Sequence, residues 1–183
     1  MFKVFDLNLK LVAQPFDNLK YRDRTVLIMC RDGHGNYLLG EKENHYPEGI
    51  VRLLGGGVDK EENVTEAAMR EIKEEMDLVV EPEELMELAE VRVVGDYKGK
   101  IFRTSIIICY LNTTKDDYLA GDDVTKIFKY SEKDFRQLIE NFNHLKDDNL
   151  FEKSDTTHSW GDYGKVYGFV HQVALDEVLK RSL

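Results

Sequence analysis

The stretch GGGVDKEENVTEAAMREIKEEMDL, residues 55–78, joins a run of three glycines to a segment rich in glutamate. Asn63 followed three residues later by Glu66 has the pattern of a helix N-terminal capping box. The residues that come next are strong helix formers. We therefore predict a helix over residues 64–76 that begins directly after Asn63.

The glutamates of this predicted helix lie on its apolar side. At about 100° per residue, Glu71 and Glu75 fall within about 20° of Val64, and Glu74 falls near Ala67. Carboxylates three and four residues apart repel each other by a few tenths of a kcal/mol per pair, and half-buried carboxylates need partners. A hard divalent cation, Mg²⁺ or Mn²⁺, would supply one. The alternative is a solvated acidic face that binds no ligand.

Three consecutive glycines precede this helix. Glycine accepts positive φ angles and allows the backbone to approach another group closely. A tight turn from strand to helix explains one or two of Gly55, Gly56 and Gly57, but rarely all three. The pattern of a phosphate-binding P-loop does not follow them. A calcium loop is excluded because Val64 stands where that loop needs glycine.

The whole chain has 183 residues, of which 42% are hydrophobic, and a formal net charge of −10. This length predicts one domain over residues 1–183. The acidic balance argues against a nucleic acid polymer or an anionic membrane as the main partner, but a bound cation would still permit a small phosphorylated ligand. Residues 1–14 do not resemble a signal peptide, and the apolar runs are too short to span a bilayer. We predict a cytoplasmic protein.

Hydrophobic periodicity predicts alternating strands and helices. The order favours an α+β layered domain with a mixed sheet. The predicted strands are residues 1–11, a hairpin over 24–43, a short strand over 51–57, and a second hairpin that turns through residues 97–100. The predicted helices after residue 76 are one with Ser131 as its N-cap and one from about Val166, separated by a polar loop over 143–165.

Both cysteines, Cys30 and Cys109, stand in apolar strand-like runs. We predict two buried free thiols, because the pattern of a disulfide framework or a zinc site is missing. The exposed edge of the hairpin over residues 24–43 is a candidate surface for pairing two copies of the chain into a homodimer.

From Gly56 to Leu78 the chain resembles the Nudix box. The pattern of that family is a glycine, five residues, a glutamate, seven residues, then Arg-Glu, an apolar residue, any residue, Glu-Glu, any residue, glycine and an apolar residue. Gly56, Glu62 and the run from Arg70 to Leu78 fit it, except that Asp77 replaces the last glycine. That glycine is expected to cap the helix in the left-handed conformation, which Asp tolerates at a cost of about 1 kcal/mol.

The resemblance implies a Nudix-type α/β/α sandwich and hydrolysis of a nucleoside diphosphate linked to another moiety. It implies a divalent metal, usually Mg²⁺, with one of the paired glutamates activating water. The implied metal ligands are Glu71, Glu74 and Glu75. Arg70 would orient the glutamates with Glu62 as its partner, while Gly56 and Gly57 shape the loop and present backbone to the ligand.

Other residues are candidates for binding the rest of the substrate. Arg52 is the best placed to contact phosphate, because it stands just before the glycines. The remaining candidate arginines are Arg22, Arg24, Arg92 and Arg103. The aromatic residues in loop-like segments are Tyr46, Tyr97, Trp160 and Tyr163, which could stack on a base. Of the five histidines, His144, His158 and His171 lack the spacing of metal ligands, and we expect ordinary surface or core positions for them.

Two other functions remain open from sequence. One is a catalytically inactive Nudix-fold module that binds nucleotides or regulates. The other is an isomerase-type Nudix protein acting on isoprenoid diphosphates, which would need a reactive cysteine in the pocket. The moiety beyond the diphosphate, whether nucleotide, sugar or ADP-ribose, is not encoded in any motif that we recognise.

Overall fold

The computed structural model describes residues 2–42, 46–47, 49–115, 118–153 and 156–183. Its strands are β1 (Lys3–Lys10), β2 (Arg24–Asp32), β3 (Tyr37–Glu41), β4 (Leu85–Tyr97), β5 (Lys100–Thr113), β6 (Lys126–Tyr130), β7 (Leu150–Lys153) and β8 (Thr156–Ser159). Its helices are α1 (Asp17–Tyr21), α2 (Val64–Met76), α3 (Glu132–Asn143) and α4 (Trp160–Arg181), with a 3₁₀ turn at Pro82–Glu84.

Six of the strands form one mixed sheet in the order β1-β4-β5-β2-β3-β6. The pairs β1–β4 and β2–β5 are parallel, and the other three pairs are antiparallel. The hairpins predicted over residues 24–43 and through residues 97–100 are confirmed as β2–β3 and β4–β5. The first hairpin has no exposed edge, however, because β5 and β6 cover its two sides. The prediction that this hairpin offers an exposed edge for pairing two copies of the chain is therefore wrong.

Helices cover both faces of the sheet, as the predicted α/β/α sandwich requires. Side chains of β2 alternate between the two faces, because successive residues of a strand point in opposite directions. Val26 and Ile28 join the apolar cluster beneath α2, which includes Ala68 and Ile72. The opposite cluster takes in Leu27 and Met29 from β2, together with the buried faces of α3 and α4.

The helix α2 begins and ends where the sequence predicts. The Asn63 side chain accepts a hydrogen bond from the Glu66 amide at 3.0 Å, and the Glu66 carboxylate accepts one from the Asn63 amide at 2.9 Å. The capping box is thus complete. Asp77 follows the helix with φ 52° in the left-handed region, as expected for the position where the family pattern has glycine.

The predicted short strand over residues 51–57 is not continuous. It touches its neighbours at isolated bridges, among them Ile28 with Leu54 and Gly40 with Arg52. Gly55 interrupts the pairing because its φ is +127°. A Cβ on Gly55 would also lie only 2.2 Å from the Val26 carbonyl oxygen, so the backbones are in close contact there.

The predicted loop over residues 143–165 is structured in large part. It contains β7 and β8, and α4 begins at Trp160 rather than near Val166. The polar composition of this segment predicted a loop. Its glycines serve helix packing instead: a Cβ on Gly164 would lie 2.3 Å from the Phe142 carbonyl oxygen. The strand β6 and the short helix α1 were not predicted. Among the described residues, the helices are too short or too polar to cross a membrane.

Candidate active site

The three glutamates of α2 differ in burial. Glu75 is fully buried and Glu71 is 7% exposed, whereas the Glu74 side chain is 43% exposed. The helical wheel predicted that all three share the apolar side. The structure places two of them in contact with the core and leaves Glu74 at the rim.

Glu75 is held from two sides. Its Oε2 accepts a hydrogen bond from the Gly55 amide at 2.6 Å. Its Oε1 lies 2.5 Å from Nζ of Lys42, which also lies 2.5 Å from Oδ1 of Asp123. This Glu75 oxygen is buried, and the Lys42 ammonium is its charged neighbour. Burial raises the pKa of Glu75, and Lys42 opposes that rise.

Arg70 connects the other carboxylates. Its Nε and Nη2 donate to the Glu62 carboxylate at 2.9 and 3.0 Å, which is the bidentate geometry that guanidinium favours. Its Nη1 donates to Glu71 at 2.8 Å and to Glu74 at 3.0 Å. The Gly57 carbonyl accepts a further bond from Nη2 at 2.9 Å. One guanidinium thus fixes the glycine loop and two candidate metal ligands relative to each other.

Gly56 is required by the position of Glu71. A Cβ at residue 56 would lie 2.3 Å from Oε1 of Glu71, which is far inside van der Waals contact. At Gly57 a Cβ would meet the Arg22 guanidinium at 3.3 Å, which is a milder conflict. Burial raises the pKa of Glu71, and hydrogen bonding from Arg70 opposes that rise. A cation beside Glu71 would favour its ionised form.

The donor set suits Mg²⁺ or Mn²⁺, which take carboxylate oxygens. Across the described part of the chain, no three His, Cys, Asp or Glu side chains already converge on a point that could hold a metal ion. Two cations, Arg70 and Lys42, occupy the carboxylate oxygens instead. The buried Oε1 of Glu75 already faces a cation, Nζ of Lys42, which is the environment expected of an oxygen that accepts a metal. The residues therefore fit the ion, provided that Lys42 moves aside.

A cavity of about 470 Å³ opens beside these carboxylates. We call its two sides the acidic wall and the aromatic wall. The acidic wall comprises Glu71, Glu74, Asp122 and Asp123, with Gly55 and Gly56 at its base. The aromatic wall comprises Phe16, Tyr46, Phe151, Trp160, Tyr163 and Tyr167, with Arg52 among them. An acidic region beside an aromatic one is suited to a ligand with a phosphate part and a ring part.

Arg52 is buried in the aromatic wall, with 6% of its surface exposed. Its Nη1 donates to the Tyr163 hydroxyl at 3.1 Å. The guanidinium carbon lies 4.2 Å from the ring centre of Tyr167 and 4.9 Å from that of Tyr46, which are cation–π distances. Its buried Nε has no hydrogen-bond partner within the described residues. Arg52 is therefore not a solvated surface arginine.

The profile of the NUDIX domain family matches residues 21–152, which include the whole glycine and glutamate motif. The chain belongs to the NUDIX family. The motif from Gly56 to Leu78 is accordingly its Nudix box. A comparison with curated proteins gave no match.

Solved structures share this Nudix fold at low sequence identity. The dihydroneopterin triphosphate pyrophosphohydrolase of E. coli is 16% identical with a TM-score of 0.51, over 67% of this chain and 87% of that one. The NUDIX domain of Shewanella oneidensis NrtR, complexed with ADP ribose, is 18% identical with a TM-score of 0.52, over 64% and 78%. A MutT/nudix family protein from Enterococcus faecalis is 18% identical with a TM-score of 0.49, over 63% of this chain and 46% of that one.

Other predicted contacts are only partly realised in this Nudix domain. Arg22 lines the cavity, whereas Arg24 donates to the Glu62 carbonyl and Arg92 pairs with Glu90. Arg103 is exposed on β5. Of the candidate aromatic residues, Tyr46, Trp160 and Tyr163 line the cavity. Tyr97 instead ends β4 and packs against the apolar core.

Several cavity residues were not predicted from the sequence. Lys42 follows β3 directly, and its alternating neighbours gave no sign of a buried ion pair. Asp123 comes after Gly121, whose amide donates to the Glu75 carbonyl at 3.1 Å and so fixes the segment beside α2. In the sequence, the pair of adjacent aspartates, Asp122 and Asp123, was the feature that could have indicated this part of the cavity. Tyr167 and Phe151 reach the cavity only through the unexpected start of α4 and the β7–β8 hairpin.

The cysteines and histidines have ordinary core or surface positions. Cys30 and Cys109 are free and buried, as predicted, and burial raises the pKa of each thiol to about 12. Neither lines the cavity. His158 and His171 are buried and His144 is exposed. These thiols are protonated and inaccessible, which argues against cysteine-dependent isomerase chemistry.

Proposed function

We propose that this Nudix protein is a divalent-metal-dependent hydrolase of the pyrophosphate bond in a nucleoside diphosphate linked to another moiety, such as a nucleotide, a sugar or ribose. The observation that carries the proposal is the complete set of box glutamates, of which Glu71 and Glu74 line a cavity with an aromatic wall. Mg²⁺ is the expected cofactor, and Mn²⁺ prefers the same oxygen ligands. A small-molecule substrate fits the net charge of −10 better than a nucleic acid polymer does.

Glu71, Glu74 and Glu75 would hold the metal. When bound, the ion would neutralise phosphate charge and lower the pKa of a water molecule. Arg70 keeps Glu71 and Glu74 in place through bonds of 2.8 and 3.0 Å. Glu74 or Glu75 would take the proton of the attacking water. Glu74 is the more exposed of the two, so it can return that proton to solvent.

The rest of the substrate would lie against the aromatic wall. Gly56 and Gly57 bring backbone close to the carboxylates and so keep room for the diphosphate. Arg22 lies beside Gly57 at the mouth of the cavity. Trp160 and Phe151 stack on each other with ring centres 3.6 Å apart, which gives a flat surface for a base.

A binding module without turnover is the second candidate. It is favoured by one observation: Lys42 and Arg70 already neutralise the glutamates, so the cavity is stable without metal. The complete set of box glutamates favours the hydrolase, because a domain that had lost turnover would have no need of all three.

Product analysis by chromatography separates the two candidates. The protein would be incubated with Mg²⁺ and a panel of ADP-ribose, nucleoside triphosphates, dinucleoside polyphosphates, nucleotide sugars and NADH. We expect cleavage of at least one compound, abolished by EDTA and by Glu75→Gln. The matched control is Glu66→Gln, an exposed glutamate on the same helix, which should retain activity. Binding without cleavage by the folded protein would support the module instead.

A further inference from the structure

The aromatic wall contains a buried cation, Arg52, that has no counterion among the described residues. Within the described residues, no carboxylate lies within ion-pair distance of Arg52. Its neighbours are the rings of Tyr46 and Tyr167 and the hydroxyl of Tyr163. Burial raises the pKa of Tyr163 well above its usual value, so that hydroxyl stays neutral. A charge removed from water needs a partner of opposite charge, and this one has only dipoles and ring faces.

Two other cations of the cavity have such partners. Lys42 lies between Glu75 and Asp123, and Lys153 pairs with Asp17 at 2.9 Å. These lysines therefore do not need an anion from a ligand. Arg52 differs in being 6% exposed, unpaired and part of the cavity lining.

Arg52 is also rigidly held. The backbone of residue 52 is paired with Gly40 through bonds of 2.8 and 3.0 Å in both directions. The next residue, Leu53, donates its amide to Nε2 of His171 at 3.1 Å. With the ring contacts of Tyr46 and Tyr167, these bonds leave the guanidinium little freedom to turn toward solvent. A cation oriented in advance in this way is what an anion-binding subsite needs.

We propose that Arg52 and its three tyrosines form a second anion subsite, and that the natural substrate carries a further anionic group, a phosphomonoester or a carboxylate, beyond its diphosphate. This assignment rests on the proposed function for the diphosphate, which would lie at the acidic wall. Guanidinium binds both kinds of anion through paired N–H donors. A neutral base carbonyl is the competing occupant, and it predicts no preference for charge.

The test is isothermal titration calorimetry in EDTA, so that binding is measured without metal-dependent turnover. Two matched pairs serve as probes: NADPH against NADH, which differ by a phosphomonoester, and UDP-glucuronate against UDP-glucose, which differ by a carboxylate. We expect the anionic member of one pair to bind about ten-fold more tightly or better. The pair that shows the preference identifies the group.

Variants tie the preference to the subsite. Arg52→Met should reduce the ratio within the preferred pair to about two-fold or less, while Arg103→Met, an exposed arginine on β5, should leave it unchanged. If Arg52→Met does not fold, Tyr163→Phe keeps the ring but removes the hydroxyl that holds Nη1, and it should lower the ratio several-fold. Equal affinities within both pairs, or a preference that persists in folded Arg52→Met, would overturn the proposal.

The same proteins separate this inference from the proposed function. Hydrolysis with Mg²⁺ but equal binding of both members of each pair would support the proposed hydrolase activity and contradict the proposed subsite. A ratio that depends on Arg52, without hydrolysis of any compound of the panel under the proposed function, would support the subsite and contradict the hydrolase.

Discussion

Nζ of Lys42 lies 2.5 Å from Oε1 of Glu75, the most deeply buried carboxylate of the Nudix box. Burial acts to lower the pKa of Lys42, but the carboxylates of Glu75 and Asp123 outweigh it and raise that pKa. Lys42 is thus a charged side chain that contacts the Glu75 oxygen proposed to bind the metal. If Glu75 binds the metal as proposed, metal and lysine would compete for this carboxylate.

Removing this competitor should strengthen metal binding. We expect Lys42→Met to bind Mn²⁺ several-fold more tightly than the wild type, as measured by electron paramagnetic resonance. In EDTA the variant should be less stable by about 3 kcal/mol, because Glu75 loses its partner, and added metal should restore part of that stability. Lys73→Met, an exposed lysine on α2, is the control. Weaker Mn²⁺ binding by Lys42→Met would show that the lysine supports the site.

A methyl group at residue 56 should displace Glu71. Because a Cβ there would lie 2.3 Å from Oε1 of Glu71, we expect Gly56→Ala to lower metal affinity and hydrolysis by about 100-fold or more. Gly33→Ala is the matched control, since its Cβ would meet nothing closer than 3.7 Å. Circular dichroism would verify that both variants fold. Normal metal binding by Gly56→Ala would contradict the assignment of Glu71 as a ligand.

Lysine cannot replace the guanidinium of residue 70. Arg70→Lys loses the bidentate pairing with Glu62 and cannot reach Glu71, Glu74 and the Gly57 carbonyl together. We expect activity to fall about 10- to 100-fold and stability to fall by about 1–2 kcal/mol, a modest loss because the side chain is partly exposed.

The control for this change is Arg136→Lys in α3. Arg136 forms an exposed pair with Glu132 at 2.8 Å, and its replacement should cost under about 0.5 kcal/mol. Chemical denaturation measures both variants. An equal loss in the two would mean that the Arg70 network adds nothing beyond an ordinary surface pair.

His171 should make stability depend on pH. Its Nδ1–H donates to the Tyr167 carbonyl and its Nε2 accepts from Leu53, so the folded protein holds it neutral. Burial lowers its pKa from 6.5 to about 3. The unfolded chain therefore binds a proton that the folded protein excludes. The free energy of unfolding should fall by about 1.4 kcal/mol per pH unit as the pH drops from about 6.5 toward 3.

Urea denaturation between pH 5 and 7 would measure that slope. His171→Gln should reduce it, because glutamine does not titrate, although the variant will be less stable at neutral pH. His144→Gln, at an exposed position, should retain the wild-type slope. An unchanged slope in His171→Gln would assign the pH dependence to other groups.

Restoring the family glycine after α2 should stabilise the protein. Asp77 has φ 52°, a conformation that costs a non-glycine residue about 1 kcal/mol. Asp77→Gly relieves that cost and gives up only an exposed ion pair with Lys73, worth a few tenths of a kcal/mol. We expect a net gain of about 0.5 kcal/mol by thermal denaturation, whereas Asp77→Ala should lose stability. A Gly variant less stable than the wild type would show that Lys73 matters more.

Local patterns predicted the parts of this fold that are locally determined. The capping box of Asn63 and Glu66 lies within one turn of helix, and the turn at residues 97–100 needs only its own left-handed residues, Lys98 and Gly99. The placement of Glu71, Glu74 and Glu75 was predicted for the same reason, since their spacing puts them on one side of one helix. Asp122 and Asp123 complete the acidic wall from a distant segment and were not predicted.

The aromatic wall depends on contacts between distant residues. Arg52 contacts Tyr163 and Tyr167 only because α4 packs against the segment over residues 51–57. The polar composition of residues 143–165 predicted a loop, and glycines such as Gly164, which allow α4 to pack closely, are unfavourable in helices by propensity. Sequence patterns assess such residues one at a time, whereas these glycines matter because of the distant residues that they contact in the fold.

The parallel pairing of β2 with β5 also has a consequence for the order of folding. It joins Thr25 to Ile106, and β1–β4 joins Lys3 to Ala89. Contacts so distant along the chain slow folding, because the long intervening segment must lose its freedom before they form. The helix α2 lies inside that segment and depends on local bonds for its start. During synthesis the acidic helix therefore leaves the ribosome ahead of β5, the strand that joins β4 to β2 in the sheet.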